Sequence, residues 1–387
     1  MTLKRNSKLF LVLFLGTLSA FGPFVTDLYL PALPTMSSYF NSSTSTIQLT
    51  LTGSMVGLAL GQLLIGPISD KYGRKNPLII SLIVYLISTI AIIILPNVYT
   101  MIVLRFIQGV SSAGAVVISR AISTDLYHGR ELAAFFALLM ALNGLAPILS
   151  PILGSILLEL TDWRGIFVTL AMIGVILLTV SFKFNESLAV EKRLDLPITK
   201  TYYSIVYVAK NKLFFVLVII QGFALAAMFA YIAASPFILQ TYYSLSPLTY
   251  SLCFGLNGFA IVLGSKSAGN FKEKISIKLG LSLMLLVSIY LAVALTLTLP
   301  FLFIEVGFFL LLLGLGFILP ADSAIAMSLE RERAGSASAF FGFVPFFLGG
   351  VVSPLVGIGN IFHSSAIAIV ICSAISFITF KLVEKKI

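Results

Sequence analysis

The sequence predicts an all-α integral membrane protein with twelve transmembrane helices, and three observations carry that reading. Only 10% of the 387 residues are charged while 59% are hydrophobic, whereas a soluble domain carries charge on about a quarter of its residues. The apolar residues gather into uncharged stretches close to the ~20 residues that a bilayer core demands. The basic residues cluster in alternate connections, as expected of a chain with a fixed orientation across a membrane.

The stretches lie near residues 9–31, 46–68, 77–95, 99–121, 131–158 and 165–184, then 211–234, 246–265, 277–297, 301–327, 334–357 and 362–381. Turn residues such as Pro96-Asn97 and Pro300 mark the breaks. Lys4, Arg5 and Lys8 precede the first stretch as they would in a signal peptide. The apolar run, however, outlasts a short signal core and lacks a small-x-small cleavage site, so it reads as a retained first helix. With the amino terminus placed in the cytoplasm, every one of the 25 Lys and Arg residues falls on that side except Arg164, on the opposite side, and Arg105, within the fourth helix. Both termini are therefore expected in the cytoplasm, because one missed or extra helix would scramble the sides.

The longest polar stretch, 185–210, contains Glu186, Glu191, Lys192, Arg193, Asp195 and Lys200. It divides the chain into a six-helix bundle over 1–184, a cytoplasmic linker over 185–210 and a second six-helix bundle over 211–387. A weak echo of residues 66–76 near 264–274 points to two related halves, the second having lost the acid. Cys253 and Cys372 sit in apolar runs, and His128 and His363 are far apart, so neither a disulfide framework nor a zinc site is expected. No cluster of His, Cys or carboxylates has catalytic spacing, which argues against an enzyme and implies no cofactor or metal. The +10 formal charge reads as an orientation signal, with no nucleic-acid partner implied.

Gly66-Pro67-Ile68-Ser69-Asp70-Lys71-Tyr72-Gly73-Arg74-Lys75, between the second and third stretches, is the strongest motif. Its glycines allow a tight reversal, and Asp70 and Arg74 are spaced to pair with each other or with a neighbouring helix end. In type and position the motif resembles the signature of the major facilitator superfamily. That resemblance implies two six-helix bundles related by an axis along the membrane normal, each of inverted three-helix repeats. It also implies that Gly66, Asp70, Gly73, Arg74 and Asp125 form a gate whose charge cluster holds one conformation closed.

Further motifs are similar to the drug:proton antiporters, and within them to the bicyclomycin and chloramphenicol exporters (Bcr/CflA-like). They are Gly22-Pro23-Phe24-Val25-Thr26-Asp27-Leu28-Tyr29-Leu30-Pro31, Leu104-Arg105-Phe106-Ile107-Gln108-Gly109 and Asp162-Trp163-Arg164-Gly165-Ile166-Phe167. Pro147, Pro151 and Gly154 are similar to an antiporter element of the fifth helix, in which Ser150 and Ser155 stand where glycines would. The implied activity is export of small apolar drugs, amphenicol- or bicyclomycin-like, energised by the proton gradient through alternating access. The implied setting is a bacterial cytoplasmic membrane, with the protein a monomer whose partners are drug, protons and lipid. A metabolite exporter or proton symporter on the same scaffold stays open, as does a channel or lipid-handling protein.

The residues also have readings of their own. Pro147 and Pro151 remove backbone donors and favour a bend, either for packing or for coupling. Arg105 lies six residues into its helix, about 9 Å deep, and must snorkel or face a polar interior with Gln108 and Ser112. Asp27, about 28 Å along the first helix, sits at comparable depth. It is either an interfacial aspartate near Pro31 or a cavity acid. A carboxyl in a dry cavity favours its neutral form and a nearby arginine favours the ionised one, so moving such a pair apart or together loads or releases a proton. By resemblance Asp27 is the proton-titrating, substrate-facing acid, alone because Ser19 occupies the position where some relatives carry a second. Asn143, Gln221, Met228, Tyr231, Asn257 and Arg120 are candidate cavity residues or packing contacts. Glu305 is expected to snorkel to the interface, and Asp322 to lie near the cytoplasmic mouth.

Overall fold

The computed structural model describes residues 6–95, 97–193, 198–330 and 333–385. Lys4, Arg5, Pro96, Asp195, Arg331 and Lys386, all used in reading the sequence, lie outside the described residues, as do the side chains of Arg130, Lys192 and Lys200.

Among the described residues twelve helices are long and apolar enough to cross a membrane. The first six spans are built on α1 (Lys8–Asp27), which continues through a short turn into α2 (Leu33–Tyr39), then α3 (Thr44–Tyr72), α4 (Lys75–Ile94), α5 (Val98–Leu126), α6 (Gly129–Leu160) and α7 (Trp163–Lys183). After α8 (Ile198–Ala209) come α9 (Lys212–Pro236), α10 (Pro247–Ala268), α11 (Glu273–Thr296), α12 (Phe301–Leu329), α13 (Ala334–Leu355) and α14 (Ile361–Val383). No strand occurs among the described residues.

The chain forms two compact units, Met1–Leu30 with Gly53–Tyr203 and Pro31–Thr52 with Ser204–Ile387. Residues 31–52, which the sequence division leaves in the first half, therefore group with the second. Hydrogen bonds run the same way: Ser45 Oγ donates to the Pro354 carbonyl at 2.9 Å, Gln48 Nε2 to Ala233 at 2.8 Å and Thr52 Oγ1 to Gly350 at 2.9 Å.

Lipid removes most of the hydrophobic drive between helices, so close packing and hydrogen bonds must hold each unit. In the first unit α1 packs on α5 and α6, and α4 on α5 and α7. A Cβ at Gly57 would collide with the Phe106 carbonyl, and one at Gly109 with that of Ser54, so these glycines bring α3 and α5 into backbone contact. In the second unit α12 packs on α10 and α11, and α9 on α13 and α14; there Gly264 and Gly316 do the same for α10 and α12. Ile80, Ile87 and Ile94 on α4, and Leu286, Ile289 and Val293 on α11, are exposed. Such rows of apolar side chains suit a lipid-facing surface.

Candidate functional site

Asp27 is the last residue of α1, and only 9% of its surface is exposed, so its carboxyl is buried within the protein. Arg105 on α5 is completely buried, which settles its reading against snorkelling. Both Nη1 and Nη2 donate to the Val25 carbonyl at 3.0 Å, a group in the last turn of α1, where carbonyls run short of helical partners. Nη1 also donates to Gln108 Oε1 at 2.6 Å, and the guanidinium lies 4.2 Å from the centre of the Tyr29 ring and 5.7 Å from that of Phe167. Gln108 Nε2 donates to Thr89 Oγ1 at 2.7 Å, and that hydroxyl donates to the Tyr85 carbonyl at 2.7 Å. Arg105 thus ties α1 to α5 and, through Gln108, to α4. Its charge lies within electrostatic reach of Asp27.

α6 stands directly behind this corner. A Cβ at Gly154 would collide with the Leu28 carbonyl, one residue beyond Asp27. Pro147 and Pro151 lie within the α-helix, and the Ser150 hydroxyl donates to Ala146 at 2.6 Å. Asn143 Nδ2 donates to the Leu139 carbonyl at 2.9 Å and to Ser19 Oγ, so its amide joins α6 to α1. Arg120, on the opposite half of α5 from Arg105, is exposed.

The motif of residues 66–75 departs from its expected form. Gly66 and Asp70 lie inside α3, which runs to Tyr72, and the reversal belongs to Gly73 alone, at φ +88. The helix passes through Gly66-Pro67 as α6 passes through Pro147 and Pro151. Arg74, 5% exposed, donates through Nε to Asp125 Oδ2 at 2.9 Å, through Nη2 to Asp125 Oδ1 at 3.3 Å and through Nη1 to Ser69 Oγ at 2.9 Å and to Asp70. Burial works against the Arg74 charge, but its hydrogen bonds to Asp125 and Asp70 outweigh that and hold it above the usual range, so it stays a cation. The five gate residues inferred by resemblance are thus brought together on one unit.

Glu186, a linker residue to which the sequence assigned no role, completes the cluster. Its Oε1 accepts the backbone amides of Arg74 at 3.0 Å, Ser187 at 2.9 Å and Leu188 at 3.1 Å, and its Oε2 that of Lys75 at 3.1 Å. A carboxylate is thereby fixed at the N-terminus of α4, where orphan amides and the helix dipole favour an anion. The Ser187 hydroxyl donates to Asp125 Oδ2 at 2.8 Å. The sequence signal for Glu186 was one acid among several in a polar stretch.

The remaining candidates belong to the second unit. Gln221 on α9 accepts from Ser323 Oγ of α12 at 3.2 Å, and Met228 is half-buried. Tyr231 on α9 packs its ring 4.7 Å from that of Phe308, centre to centre, and its hydroxyl accepts from Asn257 Nδ2 of α10 at 3.0 Å. The same Asn257 amide donates to Glu305 Oε1 of α12 at 2.9 Å. Glu305 is 5% exposed and bound to Asn257, which corrects the expectation that it snorkels; Asp322, seven residues before the end of α12, is fully buried. Depth along a helix was legible; which way the side chain turns was not.

A family model described as the Major Facilitator Superfamily matches residues 9–354. The chain is 36% identical to an uncharacterized MFS-type transporter of Bacillus subtilis, YdgK, over 92% of this chain and 90% of that one. It is 25% identical to a bicyclomycin resistance protein homolog of Haemophilus influenzae over 91% and 90%. The crystal structure of a bacterial homolog of the lysosomal transporter Spinster superposes with a TM-score of 0.74 over 97% of this chain and 98% of that one, at 14% identity, a likeness of fold. The chain belongs to the major facilitator superfamily of membrane transporters, and its relatives include the bicyclomycin-resistance branch that its α1, α5 and α7 motifs resemble.

Proposed function

We propose that the chain exports small, largely apolar drugs, amphenicol- or bicyclomycin-like, in exchange for protons, from a bacterial cytoplasmic membrane with both termini in the cytoplasm. One observation carries the reading: a buried carboxyl, Asp27, closes the last turn of α1, and the Val25 carbonyl of that same turn holds the fully buried Arg105. The similarity to a bicyclomycin resistance protein homolog supports the substrate class.

Asp27 is the proton carrier. Drug entering from the cytoplasm meets the neutral acid and displaces its proton, and Arg105 stabilises the resulting carboxylate. After the drug leaves on the far side, a proton from outside neutralises Asp27 for the return. Because Arg105 holds α1 through the Val25 carbonyl, a change in the Asp27 charge acts on the helix as well as the drug. The Arg74, Asp125, Asp70 and Glu186 cluster biases which state is populated without touching drug. Asn143, Arg120, Gln221, Met228, Tyr231 and Asn257 are proposed drug contacts.

Drug accumulation in pump-deficient cells tests this. Cells expressing the wild type hold less drug, and a protonophore or Asp27→Asn abolishes the difference. Export that survives both would defeat the proposal.

A further inference from the structure

Three hydrogen-bonding groups of the second unit meet in its apolar interior and leave two acceptors without a partner. Asn257 Nδ2 serves both Tyr231 Oη and Glu305 Oε1, at 3.0 and 2.9 Å. Asn257 Oδ1 and Glu305 Oε2 are buried acceptors without a hydrogen-bond partner. Buried acceptors are rarely left so, and an uncompensated carboxylate among apolar side chains is costly. Among the described residues no Lys, Arg or His forms an ion pair with Glu305.

The titratable groups around it are weak acids. Tyr231 faces it from α9, and Cys253 from α10. Tyr250 of α10 stands beside Tyr231, and Tyr290 of α11 donates to the Phe303 carbonyl at 3.0 Å. α13 carries no titratable side chain. The Cys253 thiol, a weak donor, does not complete a hydrogen bond to Oε2.

A carboxylic acid and a carboxamide each offer one donor and one acceptor, so their edges are complementary. One proton on Glu305 Oε2 supplies the donor that the cluster lacks and removes the uncompensated charge. We propose that Glu305, held by Asn257 and Tyr231, is a second proton-binding site of this transporter, separate from Asp27. Its part in transport rests on the proton-coupled function proposed above; its occupancy by a proton does not. Glu305 takes up its proton from the outside before the drug-free return and releases it to the cytoplasm before the drug-carrying step, so that two protons move inward per drug molecule moved outward.

Infrared spectra of the purified full chain, taken between about pH 5 and 9, test occupancy without any drug. A protonated-carboxyl C=O band that titrates in the wild type and in Asp27→Asn, and is missing from Glu305→Gln, is expected. Because an amide at 305 imitates the protonated acid, Glu305→Gln should melt no lower than the wild type, while Glu305→Ala melts lower. A wild-type minus Glu305→Gln difference showing no such band, or one unchanged across the range, overturns the site. In proteoliposomes with the potential clamped, Glu305→Gln should lower the limiting drug gradient by about tenfold per unit of imposed pH difference. A wild-type limiting gradient in Glu305→Gln would overturn the second proton. Uphill transport by Asp27→Asn would instead overturn the Asp27 reading and leave the infrared result standing.

Discussion

Arg105 shows at the scale of one residue how a membrane charge becomes structural. It is buried without exposed surface, yet satisfied by a carbonyl, an amide oxygen and two aromatic faces. Arg105→Ala would strand Gln108 and the Val25 carbonyl, costing on the order of 3 kcal/mol from broken charge-assisted bonds, read as a lower melting temperature in detergent together with lost export. Arg105→Lys keeps the charge but not the fork that reaches Val25 and Gln108 together, so export should still fall at least tenfold in vesicle flux. Equal flux from Lys and Arg would mean that only the charge matters. That Arg105 had to snorkel or turn to a polar interior was legible, because a membrane charge must be accounted for wherever it sits; which of the two was not. Glu305 was not: four residues into α12, it lies shallow enough to snorkel, and only the packing of Asn257 against it reveals the inward turn.

Among the elements, the junction of α3, α4 and the linker is where charges do the holding. Asp125 is nearly buried, with 12% of its side chain exposed against 48% for Asp70, and an exposed partner of an ion pair contributes little. Asp125→Asn should therefore slow turnover more than Asp70→Asn, with drug affinity in detergent changed only modestly by either. The reverse order in a transport assay would assign the hold to Asp70. Glu186→Gln should also loosen the junction, by about 1 kcal/mol as for a lost helix cap, seen as faster amide exchange over residues 74–78. Unchanged exchange would limit Glu186 to a bystander. The α3 to α4 connection was legible as a motif because Gly and charged residues stand out in an apolar chain. Its true geometry was not, since Gly66-Pro67 read as a turn and the helix runs on to Tyr72.

For the whole molecule, span number followed from bilayer thickness, which fixes helix length almost independently of side-chain detail. Grouping of 31–52 with the second unit did not, because it rests on tertiary contacts whose hydrogen bonds are made by Ser, Gln and Thr, common residues with no distinctive pattern. Orientation is open to a direct check: reporter fusions at residues 195 and 385 should both report the cytoplasm, and opposite sides would undo the twelve-span topology. The central claim, that Asp27 exchanges a proton for drug, is tested most directly by proton release on drug binding, followed with a pH dye on purified protein in the Glu305→Gln background. There the account predicts release with Asp27 present and none after Asp27→Asn. Undiminished release from the doubly substituted protein would contradict it.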